Sequence, residues 1–113
     1  MSRYQYEPIH DHGGVMSFVM WLRVPYTMAS EAEARPYVPR EYNTSGGFGL
    51  HATNSMGRLQ HIVLPVDETW ENRICLFPAR MQHSVFPFYS SDELRISIAG
   101  NFFFDGSEQG RLR

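Results

Sequence analysis

The pentapeptide HDHGG places two histidines, His10 and His12, two residues apart and follows them with two glycines. On an extended strand, residues two apart face the same side, so both imidazoles can converge on one point while Asp11 turns away. The glycines allow a tight turn or a close approach to a ligand. His83, in FPARMQHSVFP, is the candidate third donor, arriving from a distant strand. Three imidazoles suit Fe, Zn, Cu or Ni, whereas Mg or Ca would call for oxygen ligands. The remaining histidines, His51 and His61, have no similar companion in sequence.

A second constellation lies twelve residues beyond His83. Arg95 stands in LRISIAGNFFF, a segment that otherwise reads as apolar β-strand. A guanidinium buried there costs several kcal/mol or more unless it is paired. Its counter-charge must therefore be a carboxylate elsewhere in the chain, with Glu93 and Asp92 the nearest, or one supplied from outside.

The elements that must position these groups are short. Val15–Val24, Gln60–Val66, Arg73–Phe77 and Leu94–Phe104 are rich in β-branched and aromatic residues and are bounded by Gly, Pro, Asn or Asp. Phe48–Ala52 and Ser84–Tyr89 are weaker strands, and Tyr4–His12 reads as an edge strand because it contains Pro8. One helical turn is expected in SEAEARP, with Ser30 as N-cap, Glu33 completing a capping box and Pro36 ending it. Val24–Asn43 is a proline-rich loop. The aromatics Trp21, Phe77, Phe86 and Phe102–Phe104 are expected to fill the core, and the C-terminal DGSEQGRLR is polar. Many short strands separated by turns predict an all-β sandwich or jelly-roll barrel.

Composition sets the outer bounds. The chain has 113 residues, enough for one domain and too few for two cores. A formal net charge of -2 leaves no basic footprint for nucleic acid. The single cysteine, Cys75, excludes an internal disulfide and fits a reducing, cytoplasmic setting. The apolar run VMSFVMWL is too short to span a bilayer.

Order and surroundings together carry a resemblance. HDH at 10–12, SFVMWLRVP at 17–25, FPARMQHSVFP at 77–87 and RISIAGN at 95–101 resemble the Fe(II)- and 2-oxoglutarate-dependent oxygenases. The likeness is closest to a small phage-related and marine bacterial group with this layout, and it covers about Ile9 to Phe104. It implies a double-stranded β-helix with Fe(II) held by His10, His12 and His83 at the open end of the barrel. It also implies 2-oxoglutarate as cosubstrate, chelating the iron at one end and paired at the other with Arg95 and Ser97. The implied reaction is hydroxylation of a small-molecule or peptide substrate with release of succinate and CO2.

Two departures from the family pattern accompany the resemblance. The usual triad has a carboxylate where His12 stands, and Asp11 takes that place only if a bulge re-aims it. Nine residues precede His10 where the family pattern leads one to expect an N-terminal extension. Either the barrel is trimmed, with an exposed strand edge covered by pairing into a homodimer, or the sequence is a fragment of a longer one. Two alternatives stand beside the oxygenase: a three-histidine cupin that uses no 2-oxoglutarate, and a jelly-roll binding module without catalysis.

Overall fold

The computed structural model describes residues 1–104; the polar stretch 105–113 lies outside the described residues. Seven strands follow in chain order: β1 (Glu7–His10), β2 (Met16–Arg23), β3 (Phe48–Thr53), β4 (Leu59–Leu64), β5 (Ile74–Pro78), β6 (Gln82–Val85) and β7 (Ile96–Phe102). They form two antiparallel sheets, one of order β1-β6-β3-β4 and one of order β5-β2-β7. This is the expected all-β jelly roll, a two-sheet barrel in which β1 lies at an edge, as its proline requires.

Alternation along β2 places Ser17, Val19 and Trp21 inward. Phe77 on the neighbouring β5 stands beside them and Phe48 on β3 across from them, with Val24, Tyr26, Val66 and Phe88 closing the same core. Each such side chain contributes about 1.5–3 kcal/mol on full burial. Trp21 packs edge-on against Phe48 and Trp70, with ring centroids 5.8 and 5.6 Å apart, a geometry that matches positive ring edges to negative faces. Trp21 and Phe77 are core residues as expected, but Phe102, Phe103 and Phe104 are exposed. Phe102 shares one face of β7, the outer one, with Ile96 and Ile98, and Ser97 and Ala99 on the opposite face are exposed as well, so this end strand is little covered on either side. Leu22, Ile74 and Leu76 extend that outer face, which is apolar and open.

The one α-helix among the described residues is α1, Met28–Ala34. Its N-cap is Thr27 rather than Ser30. The Thr27 hydroxyl accepts from the Ser30 amide at 2.9 Å, and the Ser30 hydroxyl accepts from the Thr27 amide at 3.0 Å, so the capping box begins three residues earlier. Thr27 wins because it is extended, whereas Ser30 is already inside the first turn. No helix among the described residues is long and apolar enough to cross a membrane.

Candidate metal centre

The first histidine is positioned by a bulge. Glu7 pairs with Val85 and His10 with His83, so three steps along β1 match two along β6. The extra residue turns both Glu7 and His10 inward, and both line a cavity of about 280 Å³ between the sheets. Pro8 sits in this step, where a residue without an amide hydrogen leaves no ladder bond unmade.

His12 reaches the same cavity by a different route from the expected one. β1 ends at His10, so His12 does not share its strand face. Instead the His12 amide donates to the Ala79 carbonyl at 2.9 Å, which docks the chain against the turn after β5. Gly14, at φ +107°, then bends the chain into β2 where a Cβ would stand 2.8 Å from the Phe102 carbonyl oxygen. The second glycine of HDHGG is thus required by backbone packing. Asp11 is exposed and stays outside the cluster.

His83 comes from β6 and is buried. The three rings meet with centroids 4.2 Å (His10–His83), 4.9 Å (His12–His83) and 5.0 Å (His10–His12) apart. One ring nitrogen from each lies within 4.8 Å of the others. Two rings are anchored alike: His10 Nδ1 donates to the Pro8 carbonyl at 2.6 Å and His83 Nδ1 to the Met81 carbonyl at 2.9 Å. A carbonyl only accepts, so each Nδ1 carries a proton, and Nε2 is the nitrogen left for ligation when the ring is neutral. The Nε2 atoms of His83 and His12 face one another at 3.1 Å. Burial lowers the pKa of His83, and His10 and His12 push it further down, against a raising contribution from the Met81 carbonyl. Glu7 also raises it, but the net shift is downward and favours neutral imidazole at His83, the form that binds metal. The donor set therefore fits a transition-metal ion.

Beneath this cavity lies a second, of about 100 Å³, and the two share Glu7, Val19, Phe48, Val85 and Ser97 as walls. Arg95 closes its far side. Arg95 is 4% exposed. Nη1 donates to Tyr26 Oη at 2.7 Å and to the Gly46 carbonyl at 3.2 Å, and Nη2 donates to the Phe86 carbonyl at 3.3 Å and to Met1 Sδ. Its cation lies over the rings of Phe88 and Tyr26, 5.2 and 5.9 Å from their centroids. Every one of these partners is neutral. Asp92 and Glu93 pair instead with Arg3 and Arg23, so among the described residues no carboxylate forms an ion pair with Arg95. Ser97, two residues on, opens onto both cavities.

Tyr26 holds Arg95 at the edge of this chamber and carried no sequence signal of its own. Its hydroxyl donates to the Gly46 carbonyl at 2.7 Å while accepting from Arg95. Burial raises its pKa despite the neighbouring guanidinium. Glu7 was equally invisible, and the cue was Pro8, since a proline inside a strand marks a bulge that shifts the inward set by one residue. His51 and His61 prove to be companions after all: they are register partners across β3 and β4, with His51 Nε2 2.8 Å from Ser84 Oγ. Ser17 Oγ donates to Asn101 Oδ1 across β2 and β7 on the cavity wall.

Compared with known proteins, the chain matches over residues 1–101 the family described as "Putative 2OG-Fe(II) oxygenase". No curated protein and no solved structure matches it.

Proposed function

The chain belongs to the 2OG-Fe(II) oxygenase family, and from that premise we propose that it is a 2-oxoglutarate-dependent dioxygenase. In this reading His10, His12 and His83 hold Fe(II), and Arg95 with Ser97 holds the distal carboxylate of 2-oxoglutarate. The bound iron supplies activation of O2, so that 2-oxoglutarate, O2 and a substrate C–H become succinate, CO2 and C–OH. The chain's own groups do the rest. The Pro8 and Met81 carbonyls fix the tautomer and tilt of two ligand rings. Arg95 fixes the cosubstrate's length and orientation, because its planar fork matches a carboxylate where a lysine would not. Phe48, Phe77 and Val85 give the cavity its apolar walls. The substrate is a small molecule or peptide, and the lone thiol of Cys75 suits a cytoplasmic site of action.

The observation that carries this reading is the buried cation at Arg95, which faces a chamber sharing its wall with the imidazole cavity and has only neutral partners. Anaerobic addition of Fe(II) and 2-oxoglutarate should give a weak visible metal-to-ligand charge-transfer band. A folded, iron-loaded protein that shows no such band refutes the proposal. The absence of a carboxylate among the three clustered donors favours, as a second reading, a three-histidine metalloenzyme that needs no 2-oxoglutarate. That enzyme would bind Fe(II) without the band and would have no use for the cation at Arg95.

A further inference from the structure

A divalent ion held by three neutral rings keeps both of its charges, and a carboxylate beside it would be strongly attracted in a site partly shielded from water. Glu7 is the carboxylate in position. The β1 bulge turns it to the same side as His10, and it forms part of the wall of both cavities. Its Oε1 lies 3.1 Å from His10 Nε2, the ring nitrogen that the Pro8 carbonyl leaves for ligation. Two donors at about 2.1 Å from one ion and at right angles around it stand about 3.0 Å apart. The Glu7–His10 pair has that spacing, and so does the His12–His83 pair at 3.1 Å.

We infer that Glu7 is a fourth protein ligand, making this centre three imidazoles and one glutamate. The inference rests on the reading of the three histidines as a metal site. It restores the anionic donor that His12 displaces, from a position three residues before His10 rather than two after it. Glu7 stands beside His10 and outside the three-ring cluster itself. Its side chain is about half exposed, so rotation about its own bonds can close the gap to an ion.

The test is Co(II) titration of the full chain without 2-oxoglutarate, followed by calorimetry and by the visible d–d absorption. Wild type, Glu7→Gln, His83→Ala and the remote control Glu68→Gln are compared. Glu7→Gln should bind Co(II) at least tenfold more weakly and with shifted d–d bands, while Glu68→Gln matches wild type. Affinity within twofold of wild type overturns the inference. So does weaker binding with unshifted bands, because a glutamate that merely holds His10 leaves the ion's donor set unchanged. His83→Ala should abolish binding; if it binds as wild type does, or wild type binds no Co(II), the metal reading itself falls and Glu7 with it. Glu7→Gln is isosteric at a half-exposed position, and circular dichroism confirms that each variant is folded.

Discussion

Replacing Arg95 with methionine separates its two possible roles. In the folded chain Arg95 is 4% exposed and its guanidinium has only neutral partners. Removing it gives up its four hydrogen bonds, but Tyr26 Oη and the Gly46 carbonyl keep each other as partners at 2.7 Å. The chief loss is the 3.3 Å bond to the Phe86 carbonyl, worth about 1.5–3 kcal/mol at most for a charged donor. Against that, the variant no longer buries an uncompensated charge, a penalty of several kcal/mol. Methionine also fills a similar volume beside Phe88. The ligand-free variant should therefore be within about 1 kcal/mol of wild type, or more stable.

Cosubstrate binding should respond in the opposite direction. A guanidinium fork makes two charge-assisted bonds to a carboxylate, each worth about 1.5–3 kcal/mol, so the loss is roughly 3–6 kcal/mol. That is about a hundredfold to ten-thousandfold in Kd. The assay is urea unfolding of Ni(II)-loaded protein with and without 2-oxoglutarate. At a hundred times the wild-type Kd the ligand should stabilise wild type by about 2.7 kcal/mol, and the same concentration should stabilise Arg95→Met by less than about 0.5 kcal/mol. A variant that loses more than about 3 kcal/mol without ligand, yet is still stabilised by 2-oxoglutarate, would refute the reasoning and make Arg95 a structural residue.

Two further outcomes follow from groups around the site. Glu31 is buried and accepts from the Tyr89 and Ser90 amides at 2.8 and 2.9 Å, so Glu31→Gln should cost about 1–3 kcal/mol by urea titration. It should also weaken 2-oxoglutarate binding, since that loop carries Phe88 beneath the Arg95 guanidinium. The metal-free protein should be most stable above the ordinary histidine pKa of 6.5 and lose stability as the pH falls below it. There the unfolded chain takes up a proton that His83, held lower by burial, refuses until its own folded value is passed. His83→Gln should flatten that slope in urea midpoints measured from pH 8 to 5.

Strand identity was legible because it is local. The alternation of β2, the apolar β-branched β7 and the proline of an edge strand are written in residue type, and each appears close to its expected place. The helix appears too, but its cap moved from Ser30 to Thr27, because capping depends on which residue is extended and not on which is merely able to cap. The motif order likewise marked His10, His12, His83 and Arg95 for attention. Their types say which chemistry is open to them.

What the tertiary structure alone decided is how those groups meet. His10 and His12 come together through a strand end and a bond to the Ala79 carbonyl, not through the strand period first expected. Glu7 enters the site because a single-residue bulge reverses the facing of β1, and its cause lies in pairing with β6, some seventy-five residues away. Whether Arg95 has a counter-charge depends on where Asp92 and Glu93 turn, and they turn to Arg3 and Arg23. Residue type is a property of one position, whereas convergence, facing and the want of a partner are properties of pairs distant in the chain, and only closing the two sheets on each other sets them.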